Sequence, residues 1–236
     1  MTKKYFRVET KDIDTNLIYN SFDTRYGLNL DFKPYNHFLN TYLSVMKENN
    51  ISVDFLTVLN NNIWSLGNEY LKILSDAIVD ENYIDLQKVT NDKNHKNQRI
   101  EIRYVNSFVQ NFDNENNFIN FDNGTYLWEI TLEMVRCNFF NKEPNRLDSK
   151  FFFTDIDSCN YYNDNYLNGI GKIYEIELID KIEYFEGDMN LIERVQNHIL
   201  FEDLINEFAD YWRGKQTEKP IREVVFKGKF KYKNIT

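Results

Sequence analysis

Glu223 stands directly after Pro220-Ile221-Arg222 and opens the apolar run Val224-Val225-Phe226. A carboxylate at a strand start, turned toward a cleft, can stabilise positive charge as it develops on a reacting carbon. The alternative is a strand-end glutamate that faces water. Arg7 lies in the alternating run Tyr5-Phe6-Arg7-Val8-Glu9-Thr10, which puts Phe6 and Val8 on one face and Tyr5 and Arg7 on the other. An arginine there is either solvated or set in a groove, where its planar five-donor fork suits ribose and phosphate. Of the two cysteines, Cys137 falls near the buried face of a helical stretch and reads as a small apolar filler. Cys159, in Ser158-Cys159-Asn160, reads as the more exposed one. Neither has a nucleophile context, and no GxSxG occurs. Gly169-Ile170-Gly171 precedes a strand rather than a helix, the wrong order for a dinucleotide fingerprint, and marks a turn. Without GxxxxGK[ST], P-loop nucleotide hydrolysis is excluded. His37, His95 and His198 stand far apart, so no motif-type zinc site is expected.

These residues sit in a chain of 236 residues with 28 Lys+Arg against 37 Asp+Glu, a net charge of -9. That balance opposes non-specific binding to nucleic acid or to an anionic membrane. Apolar residues make up 42% and charged residues 28%, the composition of a globular protein long enough to need no disulfide framework. No apolar run is long enough to cross a bilayer as a helix, and Met1-Thr2-Lys3-Lys4-Tyr5 lacks the apolar core of a signal peptide. The expectation is a cytoplasmic protein. Lys227, Lys229, Lys231 and Lys233 alternate with Phe226, Gly228, Phe230 and Tyr232, the two-residue period of a strand. They read as an edge strand whose lysines block pairing, or else as an anion-binding stripe.

The elements that must carry this chemistry are mixed. Tyr5–Thr10, Lys150–Thr154, Lys172–Ile179 and Arg222–Tyr232 read as strands. Pro34–Asn49 reads as a helix with its proline in the first turn, and Val53–Val79 carries two more helical patterns. Thr125–Phe140 places Leu132, Val135 and Phe139 on one helical face. Asp155 or Asp157 caps a short helix toward Asn163, and Leu200–Trp212 is strongly amphipathic, with Gly214 after it. Arg99–Val105 fits a strand or a short helix. The Asn-rich segments 91–98 and 111–123 read as loops. Helices and strands without a βαβ rhythm give an α+β fold.

One block is distinctive. Glu133 and Arg136 on a helix are followed by Phe139, Pro144, Asn145, Arg146, Leu147, Ser149 and the apolar Phe151-Phe152-Phe153. This resembles a bacterial and phage family of uncharacterised proteins placed in the ADP-ribosyltransferase-like superfamily. The family pattern is an acidic helix with an arginine, an aromatic, Pro-Ser-Arg-Leu, a serine and an apolar strand; here Asn145 replaces the first serine. Tyr174-Glu175-Ile176-Glu177, Asp188-Met189-Asn190, Tyr211-Trp212-Arg213-Gly214 and Arg222-Glu223-Val224-Val225 follow in the family's order. The resemblance covers residues 5–10 and about 125–232, and leaves 34–120 uncovered.

The resemblance implies an ADP-ribosyltransferase-like split antiparallel sheet in a single domain over 1–236, with 34–120 as a helical, insert-like section. It implies NAD as the cofactor and an NAD-dependent ADP-ribosyltransferase as the activity, a glycosyltransferase chemistry. Glu223 and Ser149 then take catalytic positions; relatives more often carry histidine where Arg7 stands. Arg7, Arg146 and Phe152 become the cofactor contacts: Arg7 for ribose or phosphate, Arg146 for phosphate or a salt bridge to the acidic helix, Phe152 for the nicotinamide face. Breaking the nicotinamide–ribose bond builds an oxocarbenium-like cation that a carboxylate stabilises. The acidic balance favours a protein or small-molecule acceptor over nucleic acid, in a setting of phage–host or toxin conflict. A non-catalytic nucleotide- or partner-binding module and an NAD glycohydrolase are the competing readings. The helical section 34–88 is the expected place for target recognition.

Overall fold

The computed structural model describes residues 3–29, 47–48, 50, 68–90, 93, 96–102, 125–195 and 199–235. Along the chain, β1 (Tyr5–Glu9) and β2 (Tyr19–Asn20) are followed by α1 (Asn68–Asp76), β3 (Tyr83–Asp85), α2 (Leu86–Thr90) and β4 (Arg99–Glu101). Then come α3 (Thr125–Phe139), β5 (Lys150–Phe153), α4 (Ile156–Tyr166), β6 (Lys172–Asp188), α5 (Asn190–Glu193), α6 (Phe201–Trp212) and β7 (Arg222–Asn234). The chain divides into two compact units. The first comprises 1–31, 131–194 and 207–236, and the second 32–130 and 195–206. The architecture is α+β with antiparallel pairing throughout.

In the first unit four strands close on one another. β1 pairs with β6 from Tyr5↔Ile176 to Glu9↔Lys172 and meets β5 at Phe6↔Phe153. β5 pairs with β7 from Lys150↔Phe226 to Phe153↔Glu223, and β7 pairs with β6 over almost its full length. Strand alternation sorts the side chains. Phe152, Tyr174, Ile176, Val224, Phe226, Phe230 and Tyr232 form one buried cluster on the enclosed face. Phe6, Val8, Phe153, Cys159 and Ile221 form another on the outer face, with Cys159 supplied by α4. Rings within the enclosed cluster meet at 5.0–6.3 Å, the range of favourable aromatic contact.

Several sequence expectations change here. β7 is not an edge strand: it pairs with β5 and β6, and with β2 at Tyr19↔Phe230. Its lysines lie on the outer face, and Lys227 and Lys233 pair across the ladder with Glu183 and Glu177. β6 runs to Asp188, well beyond Ile179. Register breaks between Leu178/Asp180 and Lys181/Glu183 interrupt its alternation, so the period that marks Lys172–Ile179 stops short of the strand's end. Gly228 lies opposite this bulge with φ of +147°, and a Cβ there would stand 1.9 Å from the Asp180 carbonyl oxygen. Only glycine fits.

In the second unit β3 and β4 pair antiparallel, registered at Ile84↔Ile100, with α1 before them in the chain and α2 in the connection between them. Leu74, Ala77, Ile84, Leu86, Val89 and Ile100 are buried there. Asp85 Oδ1 accepts from Gln87 N at 2.9 Å and caps α2. The section read as helical therefore also holds β3, three residues long and too short for a period to register, and β4, which falls in the Arg99–Val105 run that fits a strand or a short helix. The expected helix at 34–49, the early part of 53–79 and the loop at 111–123 lie mainly outside the described residues.

Candidate functional site

Glu223 is the second residue of β7 and shares its outer face with Ile221 and Val225. Its ladder neighbours are Phe153 and Gly187. A Cβ on Gly187 would stand 2.3 Å from the Tyr211 ring, so this glycine lets the α6 tyrosine approach the strand. Tyr211 then donates its hydroxyl to Glu223 Oε1 at 2.7 Å. Arg146 Nη1 donates to the same Oε1 at 2.5 Å and to the Tyr211 oxygen at 2.5 Å. The Arg146 guanidinium lies 4.6 Å from the Phe151 ring centre and 5.3 Å from that of Tyr211. Glu223 is 3% exposed and Arg146 7%. Glu223 Oε2 accepts no hydrogen bond from the described residues, so both donors converge on one oxygen and leave the other.

The distinctive block is the scaffold that delivers Arg146. Arg146–Asp148 forms a short 3-10 turn. Asn145 caps it by accepting from Leu147 N at 2.8 Å. Asn145 Nδ2 also donates to Glu133 on α3, and Glu133 is held by two 2.7 Å bonds from Arg136. Arg136 in turn donates to the Glu143 carbonyl at 2.9 Å. Serine in place of Asn145 would serve the same cap. Asn145→Ser is therefore expected to change stability by less than about 0.5 kcal/mol, and Asn145→Ala to cost about 1 kcal/mol. Urea unfolding of both variants checks this, and equal costs would remove the cap as the reason.

The other sequence candidates are placed elsewhere. Ser149 is fully buried in the turn: its hydroxyl donates to Asn145 O at 2.5 Å and its carbonyl accepts from Tyr26 N at 2.9 Å. Phe152 belongs to the enclosed cluster, on the face opposite Glu223. Phe151 is the aromatic that meets Arg146. Arg7 is also on the opposite face. Phe6 pairs with Phe153 and Phe153 with Glu223, so Phe6 shares the Glu223 face and Arg7 does not.

Arg7 builds a second cluster. It donates to Phe151 O at 3.0 Å, beyond the single β1–β5 register pair, and to Glu9 at 3.1 Å. Lys150 and the Tyr232 hydroxyl meet the same Glu9 oxygen at 3.0 and 2.6 Å. Burial alone would raise the Glu9 carboxyl, but the charges of Arg7 and Lys150 and their hydrogen bonds, with that of Tyr232, hold it down at about 2. Burial and the Arg7 charge bring the Lys150 ammonium down to about 8 against the pull of Glu9. Glu9 follows Arg7 by two residues on the same strand face, so strand period was the signal that could have found it. Tyr211 belongs to the amphipathic Leu200–Trp212 helix and to the Tyr211-Trp212-Arg213-Gly214 stretch of the resemblance, neither of which gave it a place in the site.

A cleft of about 580 Å³ lies beside the start of β7, lined by residues that include Asp155, Tyr161, Lys219 and Arg222. Asp188, fully buried, fixes its loop by accepting from Asn190 N, Ile221 N, Thr217 N and the Thr217 hydroxyl at 2.7–3.0 Å. The cysteine readings reverse. Cys159 is buried, and burial pushes its thiol up to about 12, while Cys137 is exposed beside Glu133. Phe139 is 68% exposed, unlike Leu132 and Val135. Among the described residues no group of three His, Cys, Asp or Glu is placed to hold a metal, and no helix is long and apolar enough to cross a membrane.

Fold and site define an α+β protein whose antiparallel strands close around an aromatic core, with a buried Arg–Tyr–Glu contact on the outer face. A family model described as a protein of unknown function (DUF2441) matches residues 15–236, and the chain belongs to that family. No curated protein matches the chain.

Proposed function

We propose that the protein is an NAD-dependent ADP-ribosyltransferase of the ADP-ribosyltransferase-like fold, acting in the cytoplasm on a protein or small-molecule acceptor, with Glu223 as its carboxylate. The observation that carries this reading is the contact of Glu223 with Arg146. The two stand 77 positions apart in the chain and meet at 2.5 Å. Arg146 and Tyr211 both hold Oε1, which fixes the carboxylate and leaves Oε2 for an oxocarbenium-like carbon. NAD would supply the ribose and the nicotinamide leaving group. Arg146 fits its diphosphate by charge and fork geometry, and Phe151, already against Arg146, is the nearer aromatic. Arg7 stands on the other face and is left out of the contact set.

A second reading is favoured by one feature. Glu223 is nearly closed from solvent and paired with Arg146. A module that binds a nucleotide or a partner without turnover would tolerate that closure. Nicotinamide release from NAD, measured for the full chain and for a folded Glu223→Gln variant, separates the two. Release that requires Glu223 supports the transferase or, with water as acceptor, the glycohydrolase; no release with lysate present favours the binding module.

A further inference from the structure

We propose that the cleft beside the start of β7 binds a small zwitterion, with its carboxylate on Arg222 and Lys219, its ammonium on Asp157 and a methylene chain joining the two. Glu223 does not line this cleft, so the site is independent of the transferase reading.

Two elements bring opposite charges to one space of about 580 Å³, a size usual for small-molecule sites. α4 and its cap supply Asp155 and Asp157, and the segment that leads into β7 supplies Lys219 and Arg222. No ion pair joins the two sets among the described residues. Asp155 is occupied: Oδ1 accepts from Ser158 N at 2.7 Å and Oδ2 from the Thr154 hydroxyl at 3.3 Å. The exposed Asp157 carboxylate has no hydrogen-bond donor among the described residues. Lys219 and Arg222 are bonded through their backbones, and their side chains are exposed.

The backbone around the cleft is fixed. Arg222 N donates to Ser158 Oγ at 3.2 Å, and Arg222 O accepts from Thr154 N at 3.2 Å. Ile221 N donates to Asp188 Oδ1 at 2.9 Å, and Asn190 Nδ2 donates to Lys219 O at 3.3 Å. These bonds tie the segment 219–222 to α4, β6 and α5. A site whose backbone is set before binding loses less ordering entropy when a ligand arrives. The Tyr161 ring is held as well, because its hydroxyl donates to Glu193 Oε2 at 2.9 Å.

The lining selects the ligand by charge. A lone anion would meet Arg222 and Lys219 but bring like charge toward Asp157 and Asp155, and a lone cation would do the reverse. A molecule that carries both charges satisfies both sets. The planar fork of Arg222 matches a carboxylate with two parallel N–H···O bonds, and the three donors of an ammonium suit the unbonded Asp157. Pro220 and the buried Ile221 stand between the two cations in the chain and, with the Tyr161 ring, offer apolar surface to the atoms that join the charges. The class is an amino acid whose amine and carboxylate are separated by methylenes.

The test is calorimetric titration of the full chain with glycine, β-alanine, γ-aminobutyrate and ε-aminocaproate, beside caproate and pentylamine as single-charge analogues. The best zwitterion is expected to bind about tenfold or more tightly than either analogue, and to weaken as salt rises. Arg222→Gln and Asp157→Asn should each weaken that zwitterion about tenfold or more. Arg222→Gln should remove its advantage over pentylamine, and Asp157→Asn its advantage over caproate. Both side chains are exposed, and melting curves of the variants separate lost binding from lost fold. Caproate that binds as tightly as the best zwitterion makes the cleft a plain anion site and overturns the inference. Binding that neither substitution weakens overturns it too, as does no binding of any of the four zwitterions.

Discussion

Arg146→Met is expected to destabilise the protein by about 3–5 kcal/mol, because it leaves the Glu223 carboxylate buried with no cation. Glu223 is 3% exposed, and Arg146 and the Tyr211 hydroxyl are its hydrogen-bond donors. Glu223→Leu should also destabilise, by removing the carboxylate that Arg146 pairs with. The double variant Arg146→Met/Glu223→Leu should cost far less than the two together, since burying an apolar pair removes both desolvation penalties. Urea unfolding of the four proteins measures the coupling. If Arg146→Met alone costs less than about 1 kcal/mol, the pair is solvated and the closed contact described above is wrong. A near-wild-type double variant would show that the ion pair is not held for stability. That outcome bears on function: a charge pair that costs the fold nothing to replace with apolar groups is retained for what it does to a ligand. The double variant should then melt like the wild type and release no nicotinamide.

Local signals were legible in the sequence, and long-range register was not. The α6 helix, the Asp155 cap and the core strands of β1, β5 and β7 follow from period and capping chemistry at nearly their observed bounds. What failed has a common cause. Phe151-Phe152-Phe153 is apolar throughout, so nothing in it tells which phenylalanines face Glu223; the pairing Phe153↔Glu223 decides, and it joins residues 70 positions apart. The same pairing, carried through Phe6↔Phe153, puts Arg7 on the far face. Lys227–Lys233 reads as an edge because lysine guards edges; here the partner strand supplies glutamates at matching positions, which local sequence cannot reveal. Cys137 and Cys159 exchanged places because each helix was read without knowing what packs on it. The Asn145 substitution, which looked like a departure, preserves the cap geometry that presents Arg146.

Stability should fall steeply between about pH 4.5 and pH 2, and Glu9 should account for about 3 kcal/mol of that fall. The sign follows from the direction of the shift. Arg7, Lys150 and Tyr232 hold the Glu9 carboxyl at about 2 in the folded chain, against its ordinary 4.5. The unfolded chain therefore binds the proton first as pH drops. The stabilisation is complete above 4.5 and gone below 2. Lys150 acts in the opposite sense at the alkaline end. Its ammonium is brought down to about 8 from 10.5, so the folded chain releases a proton before the unfolded chain does, and stability gains as pH rises through that window. Glu9→Gln should remove most of the acid loss and lower the Lys150 value further, because the one carboxylate that supports the ammonium is gone. Tyr232→Phe should shift the acid loss toward pH 4.5 while keeping most of its size, since only one of the donors is removed. Urea midpoints at fixed pH from 2 to 10 measure both limbs. An acid limb unchanged in Glu9→Gln would assign the loss to other carboxylates and leave the Arg7 cluster without a part in stability. An acid limb that disappears would fix the role of Arg7: it splices β1 to β5 through Phe151 and charges the Glu9 cluster, on the face away from Glu223.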